Sequence, residues 1–193
     1  NATPHSAPMR RYNPHARTVI VDYVKELWEQ GVIESSNSPW QANVVLIRKP
    51  DGSPRVTLDY RRLNDVTQNV ASNLPRVEDN FDALGGSRIF SALDIMSAYY
   101  CLPLYEPHRD YTAFHCPGLG QFRFTRASMG LRTSQAHFVT LTLRMLDGLL
   151  FDCCASYSDD VIVYSKSFDD SGDADGHLSH LRKVFQRFRR SEE

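Results

Sequence analysis

An α+β fold with antiparallel sheet is what this sequence predicts, on three observations. Strand-like runs come in pairs joined by short turns, helical patterns fall between those pairs, and no internal repeat is present. Interleaved elements with hairpin connections favour an antiparallel arrangement over a doubly wound parallel sheet.

The elements follow in chain order. Residues 1–13 carry no periodic pattern and read as a flexible lead. Val19, Ile20, Val24, Leu27 and Trp28 repeat at helical spacing, which predicts a helix over 14–31 closed by Gly31. A Ser/Asn/Pro loop covers 35–39. NVVLIRK and RVTLDY flank the turn PDGSP, which predicts a hairpin over 43–60 with Arg48, Lys49 and Arg55 at its tip. Residues 65–76 look irregular, and VEDNFDALGG (77–86) reads as a short helix ended by glycines. SRIFSALDI (87–95) is a strand, followed by a helical turn through Ser97, Ala98, Tyr99 and Tyr100. YTAFHC and QFRFTRA make a second hairpin through Pro117-Gly118, and residues 132–150 read as the longest helix. DCCASY and VIVYS make a third hairpin around Ser158-Asp159-Asp160. An acidic loop over 169–176 precedes the amphipathic helix HLSHLRKVFQRFRR.

Composition narrows the class. A chain of 193 residues, 41% apolar, can bury one substantial core, or one domain with a smaller lobe. No run approaches the roughly 18–20 apolar residues of a membrane span, and the N-terminal residues lack the apolar core of a signal peptide. The four cysteines, Cys101, Cys116, Cys153 and Cys154, form no CxxC pair, so buried free thiols in a reducing compartment are expected. The Asn1-Ala2-Thr3 sequon reads as chance. Net charge is −1, which by itself does not favour a nucleic-acid partner. Residues 1–62, however, hold nine Lys/Arg against six Asp/Glu, while acidic residues gather at 169–175. Such asymmetry fits an anionic substrate held beside a metal site.

The sharpest chemical feature is YSDD at 157–160, set between two apolar strand-like runs. Successive strand residues point to opposite faces, so two neighbouring Asp residues serve one site only where the chain turns. Ser158-Asp159 is poor chemistry for a two-residue turn, which normally takes Asn-Gly or Asp-Gly. Poor turn chemistry that is nevertheless used points to a functional demand. Asp94 ends an apolar strand, where a charge is costly unless it is paired or binds metal. If adjacent antiparallel strands carry these groups, their carboxylates can hold two Mg²⁺ ions about 3.5–4 Å apart, with Mn²⁺ as an alternative. An Asp-Asp pair in a turn is ordinarily solvated, and an Asp at a strand end is ordinarily a cap. Neither motif alone carries the reading.

Taken together, the blocks resemble the reverse transcriptases of retroviruses and LTR retrotransposons, nearest to the gypsy type. The resemblance runs from about Arg11 to Arg190. It rests on VIESSNSPWQANVVLIRKPDGSPRVTLDYRRLN, the LPR at 74–76, F-S-A-L-D at 90–94, F-x-F and M-G-L over 122–131, YSDDVIVYSK and HLSHLRKVF. It implies a right-hand polymerase with fingers and an antiparallel palm sheet packed by helices. Residues 14–86 would be mainly fingers, 87–116 palm, and 117–193 a return to the fingers followed by the palm hairpin. The thumb, primer grip and RNase H would lie beyond this stretch, in the rest of a polyprotein.

Residue roles are carried over on the same basis. Asp94 and Asp159 resemble the metal ligands, Ile95 would add a backbone carbonyl, and Asp160 is the third acidic member. Lys49 and Arg55 resemble the residues that grip the incoming deoxynucleoside triphosphate, with Arg48 an alternative to Lys49 because the loop can be aligned one residue either way. Tyr99 resembles the steric gate that clashes with a 2′-hydroxyl, with Ser97 and Ala98 beside it, and its alternative is a core tyrosine next to Tyr100. Met129 and Gly130 resemble the residues beneath the nascent base pair, and Tyr157 and Ser158 those that contact the primer. The resemblance implies an RNA or DNA template with its primer, no membrane, and an intracellular setting, in cytoplasmic virus-like particles.

The sequence departs from the family pattern at Ser158 (usually larger and apolar), Gln135 (commonly Pro), Met129 (commonly Gln or Phe) and the longer acidic loop. Two other readings compete. One is a catalytically idle, truncated or host-adopted module that binds nucleic acid or protein. The other is an RNA-dependent RNA polymerase palm, against which a gate tyrosine argues.

Overall fold

The computed structural model describes residues 2–71, 75–168 and 176–190. In chain order its elements are α1 (Pro14–Glu29), β1 (Ile33–Ser35), β2 (Asn43–Arg48), β3 (Pro54–Asp59), α2 (Arg61–Val66), α3 (Val77–Ala83), β4 (Ile89–Asp94), α4 (Glu106–Arg109), β5 (Phe114–Cys116), β6 (Gly120–Phe124), α5 (Ser134–Met145), β7 (Cys154–Tyr157), β8 (Asp160–Ser165) and α6 (His177–Arg190). A 3₁₀ turn covers Ala98–Cys101. Every strand pairing between these elements is antiparallel, as the α+β expectation requires. The chain divides into two compact units, one of residues 1–69 and 99–134, the other of 70–98 and 135–193.

The first unit holds a three-stranded sheet in the order β1-β6-β5 and the β2-β3 hairpin. Helix α1 starts where the sequence says it should. The Asn13 side chain accepts from the Ala16 N–H at 2.7 Å, and Pro14 occupies the first turn. Its buried stripe is Ile20, Val24 and Leu27. That stripe packs into one core with Val44, Phe114, Phe122 and Phe124. The three phenylalanines are each about 2% exposed, and burial of each is worth about 1.5–3 kcal/mol. An ion cluster holds one side of the same sheet. Arg123 reaches Glu34, its cross-strand partner, and Asp110, both at 2.8 Å, and Arg109 approaches Glu34 at 3.4 Å.

The second unit is built on the sheet β4-β8-β7. Strand β4 alternates cleanly: Ile89, Ser91 and Leu93 are half-buried, while Phe90, Ala92 and Asp94 are exposed. The buried side of the sheet is closed by Val161 and Val163 of β8, Cys154 of β7 and Val184 of α6, all fully excluded from solvent, with Leu146 and Leu149. Helix α6 contributes Leu181 and Phe188 to the same cluster. The Asn80 amide of α3 donates to the Ser156 carbonyl at 3.2 Å.

Three expectations change. The lead is anchored rather than free: Ala7 N–H donates to the Gln41 carbonyl, Gln41 N–H to the His5 carbonyl (both 2.9 Å), and the Tyr12 hydroxyl to the Val44 carbonyl at 2.8 Å. These are bonds from irregular backbone to an edge residue, which leave no periodic trace in the sequence. The helix expected over 132–150 is shorter, α5, and α1 with 16 residues exceeds it. The chain after Met145 turns on Gly148, whose φ of +77° is left-handed. Residues 65–76 are not wholly irregular, since α2 reaches Val66. Leu74 of the LPR block and the acidic loop over 169–175 lie outside the described residues.

Candidate polymerase site

The carboxylates come together on one ladder of the second unit. Asp94, the last residue of β4, stands directly opposite Asp160, the first residue of β8. Opposed residues in an antiparallel pair share a face, with Cβ atoms about 4.5–5.5 Å apart, and like charges so placed repel. Both side chains are exposed on the side away from the Val161/Val163 core. Asp159 sits in the turn between β7 and β8, and its carbonyl accepts from the Ile95 N–H at 3.1 Å. That bond ties the residue after Asp94 to the residue before Asp160. The three acidic residues are thus fixed to one another through backbone.

The turn has the strain its sequence implies. Tyr157 pairs with Asp160, so Ser158 and Asp159 form a two-residue loop. Ser158 has φ of +59°, and Asp159 is not among the positive-φ residues. Positive φ at the first loop position alone is the requirement of a type II′ turn, which prefers glycine there. A non-glycine residue in that region costs about 1–3 kcal/mol. Ser97, three residues past Asp94, is also left-handed at +52°. Tyr157 is half-exposed beside the turn.

The remaining predicted residues lie in the first unit, apart from Ile95, Ser97 and Ala98. The β2-β3 hairpin ends in a turn closed by Gly52 N–H to Lys49 carbonyl at 2.9 Å, with Pro50 second and Gly52 at φ +84°. Lys49 N–H also donates to the Ser53 carbonyl at 2.9 Å, which continues the ladder one step. Because Ile47 faces Arg55, alternation puts Lys49 and Arg55 on one face and Arg48 on the other. The Arg55 guanidinium donates to the Met129 sulfur at 2.6 Å. Gly130, at φ +91°, is held by Asn64 of α2. The Asn64 amide donates to the Gly130 carbonyl at 2.8 Å, and its oxygen accepts from the Arg132 N–H at 2.9 Å. Arg132 further donates to the side chain of Asn69. Tyr99 is half-buried, and its carbonyl accepts from Leu102 N–H at 3.0 Å. The neighbouring Tyr100 is the one built into packing. Its hydroxyl shares a 2.8 Å bond with that of Tyr23, and burial, followed by that bond, pushes its ionisation up. Ala98 is buried.

Sequence reasoning passed over Asn64, because an asparagine in a short helix has no signature until its partners are known. It also passed over a cleft of about 650 Å³ lined wholly by first-unit residues, among them Trp40, Gln41, Asp59, Arg61 and Asn64. There Arg61 pairs with Asp59 at 2.7 Å and holds its carboxyl down at about 2.

Asp94 and Asp160 face each other at a ladder end with Asp159 in the adjoining strained turn, which offers hard carboxylate oxygens of the kind divalent cations take. Comparison with known proteins makes this specific. Residues 47–192 match the family model described as reverse transcriptase (RNA-dependent DNA polymerase). The chain is 30% identical over 96% of its length to the retrovirus-related Pol polyprotein from transposon 297 of Drosophila melanogaster, and spans 18% of that protein. It is likewise 30% identical over 86% of its length to the enzymatic polyprotein of soybean chlorotic mottle virus, spanning 24% of it. Among solved structures, prototype foamy virus protease-reverse transcriptase aligns over 99% of this chain and 24% of its own, at a TM-score of 0.80 and 26% identity. The chain therefore belongs to the reverse transcriptase family, in the branch found in retroelement and retroviral polyproteins.

Proposed function

We propose that this chain is the fingers-and-palm portion of an RNA-directed DNA polymerase within an LTR retroelement polyprotein, adding deoxynucleotides to a primer 3′ end. The observation that carries the reading is the placement of Asp94 opposite Asp160, with Asp159 bonded through its carbonyl to Ile95. An exposed carboxylate pair facing itself across a ladder is unfavourable without a cation, and hard oxygen donors suit Mg²⁺ or Mn²⁺. Members of the family use divalent metals. Among the described residues no three His, Cys, Asp or Glu side chains group as a metal site.

Asp94 and Asp159 would hold two such ions, with Asp160 and the Ile95 carbonyl in support. Bound there, the ions supply charge stabilisation for in-line phosphoryl transfer. The chain's own residues do the rest. Lys49 and Arg55, on one face of their hairpin, would neutralise the β- and γ-phosphates of the incoming nucleotide. Their common face favours Lys49 over Arg48 for this role. Arg55 is steadied by Met129, and Asn64 shapes the backbone at Gly130, which would lie with Met129 beneath the nascent base pair. Tyr99, flanked by Ser97 and Ala98, would exclude a 2′-hydroxyl, and Tyr157 and Ser158 would meet the primer end. The reading gains support from a solved foamy viral relative in complex with an RNA/DNA hybrid, 23% identical to this chain at a TM-score of 0.85.

The test is Mg²⁺-dependent extension of a DNA primer on an RNA template. It is run with this chain and with the chain continued through the next few hundred residues of its polyprotein. Extension by the longer protein, with deoxynucleotides strongly preferred and that preference lost in Tyr99→Ala, is the expected result. Failure of both proteins while folded would leave a nucleic-acid or protein-binding module. Unchanged sugar selectivity in Tyr99→Ala would remove the gate role.

A further inference from the structure

The helix motif His177-Leu-Ser-His180 is not absorbed by the reading above, and it is buried. His177 and His180 are 2% and 7% exposed, and Ser165 is 3% exposed. His177 Nε2 lies 2.8 Å from the Ser91 hydroxyl on β4, and its Nδ1 lies 2.9 Å from the Ser165 hydroxyl on β8. His180 Nδ1 lies 2.8 Å from the same Ser165 hydroxyl and 3.1 Å from the Tyr164 carbonyl. One imidazole therefore spans the two strands that carry Asp94 and Asp160.

A carbonyl only accepts, so His180 carries its hydrogen on Nδ1 and donates to the Tyr164 carbonyl and the Ser165 oxygen. The Ser165 hydrogen is then used within the cluster when it donates to a bare His177 Nδ1, which leaves neutral His177 with its hydrogen on Nε2, donating to Ser91. Protonating His177 adds an N–H that faces the Ser165 oxygen, so the hydroxyl must turn its own hydrogen away and that donation is lost.

We propose that His177, with Ser165 and His180, is a positioning group that locks β4 onto β8 and so sets Asp94 across from Asp160, and that it releases when His177 is protonated. The role of the two aspartates rests on the proposed polymerase function; the clasp itself does not. The groups facing His177 are His180 from α6, Ser91 from β4, Ser165 from β8 and the ring of Phe168, stacked at 6.5 Å. Tyr164 reaches the cluster through its carbonyl, and burial lifts its hydroxyl to about 12. None of these neighbours is a carboxylate, a lysine or an arginine. Burial, and then His180, lowers the affinity of His177 for a proton below the ordinary 6.5. The unfolded chain thus binds the proton more tightly. The clasp's contribution is complete above about pH 6.5 and is lost as pH falls below it.

Nitrogen NMR of the whole 193-residue chain, titrated from about pH 8 to about pH 5.5, reads the tautomers directly. The expected result is a hydrogen on Nε2 of His177 and on Nδ1 of His180 at the upper end. Amide exchange in β4 should then rise about tenfold as His177 takes up its proton. The His177→Phe variant should show that faster exchange at every pH, and His177→Gln, which keeps a donor near the Nε2 position, should recover part of the protection. The opposite tautomers, or β4 exchange indifferent to both pH and substitution, would overturn the clasp. None of these readouts needs polymerase activity. A chain that shows the clasp but extends no primer would count against the polymerase reading alone.

Discussion

Two hairpins in this molecule solve the same backbone problem with opposite chemistry. The β2-β3 hairpin turns on Pro50-Asp51-Gly52, with proline where φ must be near −65° and glycine at φ +84°. The Asp51 side chain also accepts from the Ser53 N–H at 2.8 Å. Each residue there is what the turn demands. The β7-β8 hairpin turns on Ser158-Asp159 and forces a serine into the left-handed region. A chain that can spell one turn correctly and misspells the other has a use for the residues in the second. The conflict at Ser158 is what singles out the second turn as a candidate for chemistry.

The largest expected effect breaks the chemical turn without touching its backbone. Asp159→Asn should lower primer extension by the longer polyprotein by about 10³-fold, since one charge leaves the proposed metal-binding set. The melting curve of the 193-residue chain should be unchanged. Retained extension would refute the assignment. Next, Ser158→Gly should relieve the left-handed strain and stabilise the chain by about 1 kcal/mol, read by urea unfolding. Gly52→Ala should act in the opposite direction and cost about 1 kcal/mol, because alanine pays at φ +84°. If both substitutions destabilise, the contrast between the turns is wrong. The smallest effect belongs to a surface pair in the first unit. Arg61→Ala should let the Asp59 carboxyl return from about 2 toward its ordinary 3.8 in an NMR titration. Asp59 is held low in the folded state, so this pair's small contribution is present above about pH 3.8 and fades as pH falls toward 2. Arg61 is largely exposed, and global stability at neutral pH should hardly shift.

Much of this was legible from residue order alone. The hairpins were readable because alternation and turn residues are local signals, as in Val44 through Leu58 around Pro50. The helix at α1 was readable from its apolar spacing, while its Asn13 cap was not singled out. The strained turn was readable because Ser158-Asp159 breaks a local rule, and it drew attention to the candidate carboxylates beside it. What stayed hidden depends on partners far away in sequence. Asn64 meets Gly130 across 66 positions, and His177 meets Ser91 across 86. Neither has a periodicity or a spacing that announces it. The anchoring of residues 5–7 on Gln41 escaped for the same reason, since single backbone bonds from a polar lead obey no pattern.

The ion cluster on the β1-β6-β5 sheet bears on how any binding experiment is interpreted. Glu34, Asp110, Arg109 and Arg123 form a charge-balanced set, each partly open to solvent. Dissolved ions weaken such clusters as they shorten the screening length, to about 8 Å at physiological ionic strength. They also weaken attraction to a polyanion by competing with released counterions. If the proposed nucleic-acid partner docks clear of this sheet, the cluster is screened equally in the free and bound protein and drops out of the salt slope of binding. Arg123→Met, which breaks the Arg123 pairs with Glu34 and Asp110, should then leave that slope unchanged, and a changed slope would mean that binding disturbs this sheet.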